Sequence, residues 1–395
     1  MAAAPQIVHA PDQAIAARSN ADELALLLAC CAQGAGLEGW FSSGTLNWEK
    51  FISLAENHRV IPQVYCSLEP YFAEVPSTAV AMLRRKYRQG TCNALWFTHE
   101  LALIASSLEA CGIRAVPYKG PLLAQSLYGD VAARQYHDLD ILVLPEDVNP
   151  AKAALADVGY VCSLNLRKEL ERNYLSSGYE YSFDSTSCPH AVELQWRILP
   201  RFYAVDFDLE ACFERAESLR IGGRTFLNLC PGDLLLILCT HAAKHIWAQI
   251  SWLLDISKLV GTETIDWDRV WEEAKDLGIR RIVAVNLLLA NDLLGSRIPD
   301  RIHAWLEADG VSLVLRDEIM QRFRAGEDSD TESIAYFRLW SRVRERRRDK
   351  ARLGWRLLST PSVSEWNEVH LPEPLFRFYY LVRLFRLAKR FGVAA

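Results

Sequence analysis

Arg134-Gln-Tyr-His-Asp138-Leu-Asp140-Ile-Leu-Val-Leu144 reads as a buried strand interrupted by two carboxylates. Side chains alternate faces along a strand, so Asp138 and Asp140 share one face while Leu139, Ile141 and Val143 share the other. One face is apolar and the other carries paired acid. Neighbouring carboxylates held together either share a proton or neutralise their charge on a cation. Oxygen ligands of this type favour Mg²⁺, which keeps several waters and takes the rest of its shell from carboxylates and substrate phosphates. The plainer reading is a solvated strand end ahead of the Pro145-Glu-Asp turn.

The residues upstream favour phosphate chemistry. Ile113-Arg-Ala-Val-Pro-Tyr118 predicts a short strand, and Lys119-Gly120-Pro121 then opens a helical run from Leu122 to Tyr128, closed by Gly129. A Gly at a strand-to-helix junction lets backbone approach a ligand, Pro suits a first helical turn, and a helix N-terminus favours anions. Lys119 adds a full positive charge. Strand, Lys-Gly turn, helix and acidic strand together predict a phosphate cradle beside a metal site.

Tyr118-Lys-Gly-Pro-Leu-Leu-Ala-Gln-Ser-Leu-Tyr-Gly129, followed by Arg134 and Asp138-Leu-Asp140-Ile-Leu-Val143, resembles the uncharacterised bacterial nucleotidyltransferases of the DNA polymerase beta superfamily. The resemblance implies an α+β fold with a small mixed β-sheet core. In that core a Gly-Ser turn holds a triphosphate and an Asp-x-Asp/Glu strand holds two metal ions. Here Lys119-Gly120 stands where Gly-Ser is expected, and the gap to Asp138 is longer than in most members; both departures fit a Lys-Gly subgroup. The same resemblance implies Mg²⁺ (or Mn²⁺), an NTP substrate, and Asp138 and Asp140 as catalytic metal ligands.

The superfamily needs a third carboxylate on a neighbouring strand. In Ala191-Val-Glu193-Leu-Gln-Trp196, alternation puts Val192, Leu194 and Trp196 on the core face and Glu193 with Gln195 on the other. Glu193 is therefore the preferred third catalytic and metal ligand. Glu180 and Asp184, which share the polar face of Tyr179-Glu-Tyr-Ser-Phe-Asp184, remain alternatives. The subgroup often has His before the Trp, so Gln195 bears on acceptor handling.

Farther along, His241, Lys244 and His245 occupy positions i, i+3 and i+4 and form one polar helical face. That face is expected to close the cleft, so Arg134, His241 and Lys244 join Lys119 and Gly120 as expected nucleotide contacts. The plainer reading makes them core-edge residues. No Glu follows His241 and no third ligand is evident, so a zinc protease is a poor reading. Asp255, in a segment resembling the subgroup's second helix, is expected to orient this basic face.

The chain has 395 residues, half of them apolar, which suits two or three globular segments. The pattern divides it into a flexible tail at 1–20, a helical region at 21–111, a catalytic core at 112–230 and a second helical region at 231–395. No stretch is long and apolar enough to span a membrane, and the Ala-rich start does not read as a secretory signal. Ten cysteines without a Cys-x-x-Cys pair suit free thiols in a reducing cytoplasm. Arg342 to Arg352 and the Arg/Lys-rich C-terminus are basic, but the net charge of −5 argues against broad nucleic-acid affinity. Those runs read first as a solvated helix face and a docked helix.

The expected activity is transfer of a nucleoside monophosphate from an NTP with release of pyrophosphate. A metal-dependent glycosyltransferase also uses Asp-x-Asp, but places alternating strands and helices ahead of it. A non-catalytic nucleotide-binding scaffold is the remaining alternative. The acceptor stays open among small molecules, carbohydrates, peptides, proteins and RNA ends.

Overall fold

The computed structural model describes residues 22–32, 36–41, 46–185, 191–262, 264–325 and 333–392. The expected tail at 1–20 lies outside them. Four helices come first: α1 (22–31), α2 (Trp48–Asn57), α3 (Ile61–Leu68) and α4 (Ser77–Ala110). With 34 residues, α4 runs about 50 Å at 1.5 Å per residue. It touches α2, α3, α5 and α6, and so ties the leading helices to the sheet.

The sheet follows, with its crossing helices. Its elements are β1 (Ala115–Pro117), α5 (Gly120–Tyr128), β2 (Asp138–Val143), α6 (Val148–Asp157), β3 (Tyr160–Cys162), α7 (Lys168–Ser177), β4 (Glu180–Ser185) and β5 (Ala191–Gln195). Strand order is β1-β2-β5-β4-β3. Only β2 and β5 are parallel; the other neighbours are antiparallel, which makes the sheet mixed. After α8 (Leu209–Glu214), strands β6 (Glu217–Ile221) and β7 (Arg224–Asn228) form a separate hairpin.

The remaining elements are helices: α9 (Pro231–Lys244), α10 (Ile250–Val260), α11 (Trp267–Leu277), α12 (Arg280–Leu294), α13 (Asp300–Glu307), α14 (Gly310–Ala325), α15 (Ile334–Val343), α16 (Arg347–Ser359), α17 (Val363–Glu368) and α18 (Tyr379–Gly392). Among the described residues, nothing ahead of β1 alternates strand with helix, which removes the architectural basis for the glycosyltransferase reading.

Alternation in β2 and β5 decides which face is buried. Leu139, Ile141, Val143, Val192, Leu194 and Trp196 pack in one core with Phe97, Leu101 and Ile104 of α4 and Leu155 of α6. A second core joins Leu26 and Phe51 near the start to Leu142 and to α9, α10 and α12. The acidic face of β2 therefore looks toward the C-terminal helices. None of the described helices is long and apolar enough to cross a membrane.

The basic run 342–352 is not one solvated helix face. Helix α15 ends at Val343 and α16 starts at Arg347, so the run bends. Arg342 pairs with Glu318, Arg346 with Asp349, and Arg352 with Asp206. Arg344 is fully buried near Asp349. The run is consumed largely by internal pairs. Helix α18 docks as expected, with Tyr379 against Trp366.

Candidate active site

Strand register assembles the acid. Asp140 of β2 lies opposite Glu193 of β5, and Glu193 lies opposite Ser182 of β4. Paired residues share a sheet face. One pair farther along, Leu142, Gln195 and Glu180 form the next row. Asp138, Asp140, Glu193, Glu180 and Gln195 consequently line one cleft of about 430 Å³. Asp184 falls at the other end of β4, opposite Ala191, where it accepts a hydrogen bond from Ser163. Of the alternatives to Glu193, the structure brings Glu180 to the cleft and leaves Asp184 outside.

Like charges this close perturb one another. Burial, then Asp140, Glu180 and Asp138, push the Glu193 carboxyl up to about 8. Burial and Asp140 also raise Asp138, while burial raises Glu180 despite Lys244 nearby.

Gln195 holds the cluster together. Its Nε2 donates to Asp140 at 3.0 Å and to Glu193 at 2.9 Å, with Glu180 at 3.4 Å. Tyr118 donates to its Oε1 at 2.8 Å from behind. A flipped amide would set its oxygen against three carboxylates, so this orientation is required. The alternation placed Gln195 beside Glu193, but only the register shows that it reaches three acids at once.

Lys119 is the N-cap of α5, and its ammonium reaches Asp140 Oδ1 at 3.0 Å. Gly120 follows with φ of +61°, and a Cβ there would lie 3.3 Å from Leu139 and 3.5 Å from the Asp138 carbonyl oxygen. The left-handed φ is what favours glycine here, and a Cβ would also press on the Leu139 side chain of β2.

Helix α9 closes the other side, with His241, Lys244 and His245 all lining the cleft. Lys244 Nζ donates to the Tyr179 hydroxyl at 3.1 Å, and Tyr179 donates to Glu180 at 2.5 Å. Burial lowers the Lys244 ammonium and holds His241 well below the usual imidazole range.

Arg134 and Asp255 depart from expectation. Arg134 lines the cleft, but its guanidinium forms a buried pair with Asp255, through Nε at 3.0 Å and Nη2 at 2.9 Å. Tyr128 donates to the same carboxylate at 2.8 Å. Asp255 therefore orients Arg134 and leaves the histidine face to others, and the charge of Arg134 is already balanced. Arg59, absent from the sequence-based candidates, also lines the cleft and has no ion pair among the described residues. Its left-handed φ of 55° carries no local sequence signature.

The donors suit a hard cation. Asp140 Oδ2 is buried without a hydrogen-bond donor, and the surrounding ligand atoms are carboxylate oxygens. Among the described residues, no three Asp, Glu, His or Cys side chains stand close enough to hold a metal unaided. An open set of this kind fits Mg²⁺, whose remaining ligands are water and substrate phosphate.

A family model described as "Uncharacterised nucleotidyltransferase" matches residues 44–295, a span that includes every cleft residue from Arg59 to Trp252. No curated protein and no solved structure matches the chain.

Proposed function

Because the chain belongs to the uncharacterised nucleotidyltransferase family, we propose that its cleft transfers a nucleoside monophosphate from a Mg²⁺-bound NTP to a hydroxyl-bearing acceptor. The observation that carries this reading is one sheet face with Asp138, Asp140, Glu180 and Glu193, facing Lys119, Arg59 and Lys244 across a cleft. Such a site offers ligands for a divalent cation and counter-charge for a polyphosphate.

Asp138 and Asp140 would hold Mg²⁺, with Glu193 completing the acidic side. When bound, the metal supplies charge stabilisation during in-line displacement at the α-phosphorus. Lys119, at the positive end of α5, and Arg59 neutralise the triphosphate, and Lys244 adds charge from α9. Glu193, beside Asp140 on the neighbouring strand, accepts the proton of the attacking hydroxyl. Arg134, oriented by Asp255, ties the β2 lead-in to α10 and does not act as a primary phosphate ligand.

The test offers all four α-labelled NTPs with Mg²⁺ and cell extract, and reads products by mass spectrometry. Label appears in a new product with wild type. Asp138→Asn and Asp140→Asn abolish it and weaken Mg²⁺-dependent NTP binding, and Asp138→Asn folds at least as stably without metal, since it removes one of several crowded charges. Near wild-type turnover in either variant would rule out the metal-site assignment. NTP binding without turnover under any condition would make the cleft a nucleotide-binding scaffold.

A further inference from the structure

Helix α18 docks with its charges inward and its apolar residues outward. On the docked side Tyr379 packs on Trp366, and the guanidinium groups of Arg383 and Arg386 share the buried Glu365. Arg383 also donates to the Leu357 carbonyl oxygen of α16. The opposite side presents Tyr380, Leu381, Leu384 and Phe385, the last 73% exposed. A surface helix ordinarily turns its apolar stripe to the core and its charges to water.

Helix α16 continues this surface. Asp349 and Leu353 are its buried residues, while Arg348, Ala351, Arg352, Trp355 and Leu358 follow one another at helical spacing along the exposed side. Trp355 is 71% exposed. Trp355 and Tyr380 line one cavity between the helices, so the two exposed faces adjoin. Of the fifteen large apolar side chains exposed among the described residues, six lie on α16 and α18. Single exposed apolar residues are ordinary, whereas a cluster marks a contact surface.

The charge around the patch selects its partner. The two helices hold nine Arg or Lys and one Asp. That Asp349 is buried and paired with Arg346, and Asp206, facing α16, is paired with Arg352 and Arg356. Arg347, Arg348, Lys350 and Lys389 are exposed. The chain as a whole carries −5, so the positive charge belongs to this face and not to the molecule at large. A second copy meeting it face to face would set these cations against each other. An anionic lipid surface matches both parts: leucine and phenylalanine side chains enter the acyl boundary, indole and phenol rings suit the headgroup level, and Lys and Arg reach the phosphates.

We propose that α16 and α18 form a peripheral docking surface for an anionic lipid membrane, entered by Trp355, Leu381 and Phe385 and held by Arg348, Lys350 and Lys389. The contact stays at the surface, since no described helix is long and apolar enough to cross a membrane. No residue of α16 or α18 lines the carboxylate cleft, so docking and nucleotide binding are separable.

The test sediments the full chain with vesicles of phosphatidylcholine, alone or mixed with phosphatidylglycerol, and measures binding to soluble polyglutamate as a lipid-free polyanion. The chain pellets with the anionic vesicles and stays in solution with the neutral ones. Salt near 1 M, where the screening length is about 3 Å, releases most of it. Trp355→Ser and Phe385→Ser replace exposed rings and leave the melting temperature unchanged. Each lowers vesicle partitioning roughly tenfold, the worth of burying one such ring. Lys389→Gln lowers it about fivefold, as expected for one cation near an anionic surface. Mg²⁺-NTP affinity is unchanged in all three variants. Absent binding to anionic vesicles, or binding that neither ring variant weakens, overturns the proposal. Polyglutamate bound as tightly as the vesicles and indifferent to Phe385→Ser would assign the face to an acidic polypeptide instead. A dimer in sedimentation velocity that Phe385→Ser dissociates would assign it to a second copy, and either result overturns the lipid assignment.

Discussion

An amide is the one uncharged side chain able to face three carboxylates while being held in that orientation from behind. Gln195 does this, donating toward Asp140, Glu193 and Glu180 with Tyr118 on its oxygen. Gln195→Glu keeps the shape and exchanges the donor for another carboxylate. Leaving buried acceptors without their donor costs about 1–3 kcal/mol, and the added repulsion works in the same direction. The metal-free melting temperature of Gln195→Glu should therefore fall below wild type, and Mg²⁺ should raise it more than it raises wild type. Calorimetric melts with and without Mg²⁺ read both effects; identical melts for the two proteins would show that Gln195 merely fills space. Gln195→Leu separates the roles further, since it removes the donor without adding charge and should lower turnover more than nucleotide affinity.

Which parts of the site were legible in the sequence follows from how far each interaction reaches along the chain. The faces of β2 and β5 follow from a period of two, so Asp138, Asp140 and Glu193 could be grouped before any coordinates. Glu180 and Asp184 share a face in the same way, yet only the antiparallel register of β4 against β5 puts Glu180 at the cleft and Asp184 away from it. The Arg134–Asp255 pair joins residues 121 apart, and no periodicity announces it. That pair ties the lead-in of β2 to α10, and both partners are buried. Asp255→Ala leaves the guanidinium buried and unpaired, which typically costs about 3–5 kcal/mol. Urea unfolding should show a loss of that order, whereas Asp138→Asn shows none. At the start of α5, Gly120→Ala must adopt a left-handed φ, a conformation that costs an L-residue about 1–2 kcal/mol, besides pressing on Leu139. Its effect should appear as lost stability measured by the same unfolding curves.

At the scale of the whole molecule, the leading and trailing helices share one core, so a group between them reports on the entire fold. His58, just after α2, is such a group. Its carbonyl accepts a hydrogen bond from the Ser251 amide of α10, and its ring stacks on Phe323 of α14 at 5.0 Å. Burial lowers its imidazole from 6.5 to about 4. The folded chain therefore disfavours the proton, and between those pH values the unfolded chain binds more of it. The stabilisation from neutral His58 is complete above pH 6.5 and drains away as pH falls toward about 4, by about 3 kcal/mol across the window. The carboxylate cluster pulls the opposite way. Glu193 is raised from 4.5 to about 8, so without metal the folded chain gains protons there as pH falls, and that favours folding. The net curve mixes both terms, but a variant isolates the first. His58→Phe keeps a ring against Phe323 and cannot be protonated. Urea midpoints of wild type and His58→Phe, taken without metal from pH 7.5 to pH 4.5, should give a stability difference that shifts in favour of the variant as pH falls. A difference independent of pH would mean that His58 is protonated as readily in the fold as in the unfolded chain, and that the contact between α2 and α14 opens to water.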